Sequence, residues 1–188
     1  REHLSQSGQQ FIDGRGSARV VRELLRPALR LRTADADDCR QVWQWRNDPI
    51  TRANAFQSDE VPWENHQRWY RSKLNDPDCR LLIAESIEGI PVGNVRFDAK
   101  ADRAEISLVV APDQRGEGNG LAMLQLAMND IRKNTSIRTV IAQIKQQNIG
   151  SQTCFERAYF QQFEKIQQQG DVVLRYRWDR SVESSQAA

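Results

Sequence analysis

Arg115-Gly-Glu-Gly-Asn-Gly120 sets three glycines at alternate positions directly behind a guanidinium and directly ahead of an apolar helical pattern, Leu121, Leu124, Leu126 and Met128. Glycine adopts backbone conformations closed to bulkier residues, so the N–H groups of such a loop can converge on one point. The first turn of the following helix adds orphan N–H donors and the positive end of its dipole. The chemistry this spacing supports is capture of a phosphate or pyrophosphate. A tight strand-to-helix turn with no ligand is the alternative reading of the same glycines. A second concentration lies upstream, where four of the five tryptophans fall between Trp43 and Trp69. Metal chemistry is not indicated. His3 and His66 are the only histidines, and Cys39, Cys79 and Cys154 are odd in number, far apart and without ligand spacing. Such cysteines fit free thiols in a reducing compartment, hence a cytoplasmic protein.

The elements that must hold these residues follow from periodicity. Residues 104–110 form an apolar strand stopped by Pro112 and Asp113, so the glycine segment joins a strand to a helix. Before it, 28–33 reads as a strand. Asp35 opens a helix with Cys39, Val42, Trp43 and Trp45 on its apolar side, ended by Asp48-Pro49. A polar loop follows. Pro62 then starts a second helix with Trp63, His66, Trp69, Tyr70 and Leu74 at three- and four-residue spacing, and Trp43 and Trp69 read as core anchors of the two helices. Strands at 80–86 and 92–98, joined through Glu88-Gly89, continue with 104–110 as an antiparallel meander. Downstream come a strand at 138–144, a short helix at 151–158, a strand start at 159–163, a turn at Gly170-Asp171 and an alternating strand at 172–178. The tail from Ser181 should fray.

A chain of 188 residues supports one well-packed core with a short appendage. Its 27 Lys+Arg and 25 Asp+Glu are spread along the chain, net +2, which disfavours a nucleic-acid partner. No apolar run approaches the roughly 20 residues that span a bilayer, and no signal-peptide core opens the chain. Residues 1–28 differ from the rest, with Gly8, Gly14 and Gly16 ahead of an amphipathic helical pattern capped near Ser17.

The order of elements together with Arg115-Gly-Glu-Gly-Asn-Gly120 resembles the GNAT family of acetyl-CoA-dependent N-acetyltransferases over residues 29–178. The segment Asn148-Ile-Gly-Ser151, followed by Phe155-Glu-Arg-Ala-Tyr-Phe160, is similar to that family's second motif. The resemblance implies an α/β fold with a mixed, mostly antiparallel sheet of about seven strands flanked by helices. Leu31-Arg-Thr-Ala34, Val42-Trp-Gln-Trp-Arg-Asn-Asp-Pro49 and Trp63-Glu-Asn-His-Gln-Arg-Trp-Tyr70 further resemble acetyltransferases that modify UDP-linked amino-deoxy sugars on the route to pseudaminic-acid-type nonulosonates. Segment 11–20 resembles the C-terminal end of a sugar-nucleotide hydrolase of the same pathway. That, with Arg1 in place of methionine, makes a piece of a bifunctional fusion the expectation; a plain helical extension is the other reading.

The resemblance assigns roles residue by residue. Acetyl-CoA is the co-substrate, its pyrophosphate held by Arg115, Gly116, Glu117, Gly118, Asn119 and Gly120, its pantetheine by the backbone of Leu108, Val109 and Val110, and further parts by Asn148 and Ser151. Ser151 reads equally as a helix cap. Glu105 stands where many relatives place the carboxylate that deprotonates the substrate ammonium. Phe155 stands where many carry the tyrosine that protonates the departing thiolate, and a phenyl ring has no proton to give. Tyr159 is the candidate replacement acid, with a structural aromatic as its alternative. Arg46, Asn47, His66, Trp69 and Tyr70 are candidates for the acceptor pocket, with Arg46 or Arg52 meeting the sugar nucleotide's diphosphate. Acetylation of a protein N-terminus or an antibiotic amine, and acetyl-CoA binding without catalysis, are the competing functions. Homodimerisation stays open.

Overall fold

A computed structural model describes residues 28–180. The expectations for the N-terminal extension and for the tail therefore lie outside the described residues. The strands are β1 (Leu29–Thr33), β2 (Cys79–Ser86), β3 (Pro91–Lys100), β4 (Arg103–Val110), β5 (Thr139–Lys145), β6 (Gln161–Gln168) and β7 (Asp171–Asp179). They make one sheet in the order β1-β2-β3-β4-β5-β7-β6. Every neighbouring pair is antiparallel except β4 and β5. The helices are α1 (Cys39–Asn47), α2 (Pro49–Asn54), α3 (Trp63–Leu74), α4 (Asn119–Asn134) and α5 (Ile149–Arg157). The α/β architecture with a seven-stranded mixed sheet flanked by helices is the one expected.

Why these residues pair is visible in β2. Leu82 and Ala84 pack into the cluster on one face, Leu81 and Ile83 into the cluster on the other, so a near-continuous apolar run is buried on both sides. One face packs against α4 through Met123, Leu124, Ala127 and Ile131, and against Phe155 of α5. The other carries Val42 and Trp45 of α1 and Tyr70 of α3. Each fully buried leucine, isoleucine, valine, methionine or phenylalanine among them contributes about 1.5–3 kcal/mol by area. The parallel β4–β5 pair needs a crossover, and the 16-residue α4 supplies it.

Two local expectations are corrected. Trp45, 4% exposed, anchors α1, while Trp43 is half-buried and spends its indole N–H on the Val61 carbonyl at 2.7 Å. The stretch after Asp48-Pro49 is not a polar loop but begins with α2, in which Asp48 is the N-cap and Pro49 the first helical residue. Proline is tolerated there because its missing N–H would have had no helical partner.

Candidate active site

The β4–β5 ladder has four rungs, from Arg103↔Thr139 to Ile106↔Ala142, and then stops. Both strands go on: β4 stays paired with β3 as far as Val110, and β5 with β7 as far as Lys145. Their ends therefore stand apart. The Ala111 N–H donates to the Val92 carbonyl at 2.8 Å, which fixes the alternation along β4. Ser107 and Val109 turn their backbone groups toward β3, so Leu108 and Val110 turn theirs into the gap. Across the ladder Gly93 lies against β4 so closely that a Cβ there would sit 2.3 Å from the Val109 carbonyl oxygen and 2.7 Å from Met123 Cε. Only glycine admits that approach, a requirement sequence periodicity did not expose.

At the end of β4 the glycine segment turns into α4. Gly116 and Gly118 have φ of +85° and +83°, and nothing lies within 4 Å of where their Cβ atoms would be. They are glycines for their backbone conformation. Gly118 is the N-cap of α4 and supplies no side-chain cap, which leaves the first-turn N–H groups directed outward. Gly120 differs: a Cβ there would meet Val110 Cγ2 at 3.4 Å and Cys154 Sγ at 3.7 Å. Asn119 is 4% exposed and its Nδ2 donates to the Gln114 carbonyl at 2.9 Å, so its side chain closes the loop on itself and only its backbone faces outward. Glu117 is exposed. Arg115 reaches sideways, its Nη2 donating to Asp48 Oδ1 at 2.6 Å and Thr51 Oγ1 at 2.8 Å.

Beyond the other lip, Asn148 Oδ1 accepts from the Ser151 N–H at 3.1 Å. Asn148 is thus the N-cap of α5 and Ser151 its third helical residue, which corrects the reading of Ser151 as the cap. At the far end of α5, Phe155 is 5% exposed and packs edge-on against Phe160 with centroids 5.0 Å apart. The Tyr159 N–H donates to the Glu156 carbonyl and the Phe160 N–H to the Phe155 carbonyl, both at 3.0 Å. This pair of bonds with the Phe155–Phe160 contact is a Schellman terminus, and Tyr159 at φ +65° fills the left-handed position that favours glycine. Tyr159 precedes Gln161, which pairs through Arg177 to Ile141, a rung at the closed part of the ladder. Its ring is 60% exposed and lines a cavity of about 190 Å³ with Gln125, Met128 and Asn129 of α4. The structure thus corrects the assignment of Tyr159 as the replacement acid: the fold carries it away from the open strand ends.

Glu105 occupies the rung before the ladder ends, paired with Asp98 on β3 and Ile141 on β5. It is exposed and shares the α1–α3 face of β4 with Ser107 and Val109. Glu105 therefore stands one rung from the opening, on that face.

The acceptor candidates divide sharply. His66 and Tyr70 are each 2% exposed, which corrects their assignment to a substrate-facing pocket. The Tyr70 hydroxyl donates to the Asp35 carbonyl at 2.8 Å. Burial pushes His66 down to about 4, against the Cys39 backbone hydrogen bond and with help from the Arg46 charge. Asn47 clamps the loop before α3: Nδ2 donates to the Val61 carbonyl at 2.9 Å and Oδ1 accepts from the Val61 N–H at 2.8 Å. That pair of hydrogen bonds to one residue commits the Asn47 amide to holding the loop. Trp69 is half-buried, with the Arg96 guanidinium 5.2 Å over its ring.

Arg46 is different. Its Nη2 donates to the Gln57 carbonyl at 2.6 Å, but Nη1 is buried without a hydrogen-bond partner, as is Arg52 Nε. Burial and the neighbouring Arg52 charge both lower the Arg46 pKa. Two guanidiniums are thus held close enough to repel, with donors unmet, on the α1–α2 wall. Asp48, Thr51 and Lys145 also belong to this region, and sequence reasoning missed all three. Asp48-Pro49 could have signalled Asp48, since an Asp-Pro pair starts a helix as readily as it ends one.

Among the described residues no cluster of three or more His, Cys, Asp or Glu could hold a metal ion, and no helix is long and apolar enough to cross a membrane. No curated protein matches the chain. A spermidine N-acetyltransferase from Vibrio cholerae, solved with CoA and spermine, superposes with a TM-score of 0.76 at 16% identity, over 83% of this chain and 98% of that one. An aminoglycoside acetyltransferase solved with coenzyme A superposes with a TM-score of 0.74 at 15% identity, over 86% and 100%. At such identities the likeness speaks for the fold. The acetyltransferase (GNAT) domain model matches residues 28–161, more than half of the chain. That span takes in both separated strands, the glycine turn and α5, and the chain belongs to the GNAT acetyltransferase family.

Proposed function

We propose that the chain transfers an acetyl group from acetyl-CoA to the 4-amino group of a UDP-linked amino-deoxy sugar, by direct attack in a ternary complex. The bound donor supplies an activated thioester. The residues present fit it: the open backbone of Leu108 and Val110 offers strand-like partners to an amide-bearing arm, and the glycine turn with the α4 first turn offers N–H groups to a pyrophosphate. Arg115 adds charge beside that turn. One N–H in the gap stabilises the negative charge that develops on the acyl oxygen during attack. Glu105 accepts the proton that the ammonium must lose before its nitrogen can attack. At the leaving-group end Phe155 gives no proton and water suffices, because a thiol of ordinary pKa about 8.5 is only about 2 kcal/mol from its thiolate at neutral pH. Glu105→Gln should lower kcat by about 100-fold or more with little change in the KM for acetyl-CoA; an unchanged kcat rejects the role.

The observation that carries the acceptor assignment is the Arg46–Arg52 pair, whose unmet donors call for an anion such as a diphosphate. A polycation would find that wall repulsive. Acetylation of a polyamine or aminoglycoside amine is the second reading, favoured by the structural likeness and by exposed Asp59 and Glu60 in the neighbouring loop. Thiol release from acetyl-CoA decides between them. Release with a UDP-4-amino sugar and not with spermidine, an aminoglycoside or a peptide amine supports the first. Release with the polycations alone overturns it, and CoA binding without release with any amine assigns a non-catalytic module.

A further inference from the structure

Helix α2 has six residues and buries none of them. A helix that short does not stand alone in water, so its ends decide where it lies. At its start Asp48 Oδ1 accepts from the Thr51 N–H at 3.0 Å and from Arg115 Nη2 at 2.6 Å, and Arg115 comes from the glycine turn beyond β4. At its last turn the Ala53 carbonyl accepts from Lys145 Nζ at 3.4 Å, and Lys145 is the final residue of β5. Lys145 is 6% exposed at its side chain and is anchored to Asp171 at 2.7 Å. One lip of the gap thus holds the start of α2 and the other lip holds its end. Each cation also sits where the chemistry favours it, on the cap carboxylate or on a C-terminal carbonyl.

We infer that α2 is a strap across the open ends of β4 and β5, with Asp48 the positioning residue through which the cofactor-binding turn sets the acceptor wall. Both Arg115 bonds to α2 use Nη2, which leaves Nε and Nη1 for a phosphate. Filling the turn with a pyrophosphate then tightens the α2 contact rather than competing with it. Arg52 rides on α2, so the same contact holds Arg52 beside Arg46. The Asp48 carboxyl supports the arrangement: burial works to raise its pKa, but the Thr51 N–H and the Arg115 guanidinium outweigh burial and hold it below the usual carboxylate range. Occupancy of the donor site and the shape of the acceptor site are coupled in this way, as linkage requires.

The inference rests on the donor reading above, and hydrogen exchange of the α2 amides with CoA as the probe separates the two. CoA binding is measured first by calorimetry. With CoA saturating, amide exchange over residues 51–55 of the unaltered chain should slow by about threefold or more. Arg115→Lys keeps a charge at the turn but not the planar fork, and at the CoA concentration that calorimetry shows to saturate this variant, however much higher, α2 exchange should not slow. Asp48→Asn keeps the cap oxygen, removes the charge and should lose the response by an independent route. Unchanged α2 exchange in the CoA-bound chain, or an undiminished response in both variants, overturns the strap. Failure of the unaltered chain to bind CoA overturns the donor reading and the strap together.

Discussion

Tyr159 shows how a residue's backbone can outrank its side chain. The sequence places a hydroxyl four residues after Phe155, on nearly the same helical face, but α5 ends first and Tyr159 takes the left-handed position of its terminus. A non-glycine residue there costs on the order of 1 kcal/mol. Tyr159→Gly should therefore raise stability by about 0.5–1 kcal/mol with kcat unchanged; a large fall in kcat with intact stability would restore the hydroxyl to the chemistry. Asn47, His66 and Tyr70 teach the same lesson from the acceptor side. Their spacing made them visible, yet polar types on an apolar helical face are as readily buried core residues as substrate contacts. Arg46 was visible for the same reason; an unmet buried donor beside a second guanidinium separates it from Asn47 and Tyr70, and its charge separates it from His66, whose Nε2 is also buried without a partner.

At the scale of elements, the meander of β2, β3 and β4 was legible because period-two alternation and the Glu88-Gly89 turn are local signals. The strand–glycine–helix passage at β4 and α4 was legible because three glycines have few other uses there. Two things were not marked by residue types. The end of the β4–β5 ladder is a relation between strands joined by a 16-residue helix, and it was expected only through the family resemblance, which leaves the backbone of Leu108 to Val110 free for pantetheine. Helix α2 has no buried residue and hence no apolar period to detect. The glycine turn itself makes a sharp prediction. Gly118 has φ +83° with open space where a Cβ would be, so a side chain there strains the backbone without clashing. Gly118→Val should cost about 1–2 kcal/mol of stability and raise the KM for acetyl-CoA by a larger factor than it lowers kcat. Unchanged kinetics would remove the turn from cofactor binding.

For the whole molecule, α1 and α3 form one packed face, and His66 at its centre ties that face to pH. The ring is neutral in the folded protein, with its pKa pushed down to about 4 by burial, the Cys39 backbone bond opposing and the Arg46 charge assisting. The unfolded chain binds that proton near pH 6.5. Protonation of the unfolded state therefore erodes stability as pH falls from about 6.5 to about 4, by roughly 3 kcal/mol in all. Denaturant titrations across that range should show the loss in the unaltered chain and a flatter profile in His66→Gln; parallel profiles would mean the ring is not what titrates. Among the described residues, the strand ladder between the two parts of the sheet, β1 to β4 and β5 to β7, has four rungs and stops at Ile106 and Ala142. The narrowest joint of the architecture is thus also the opening at which the proposed function places the substrates. Selection for a tougher protein would favour adding a fifth rung, and selection for turnover would remove it. Thermostable variants chosen without an activity screen should therefore lengthen this ladder and lose turnover as they do so.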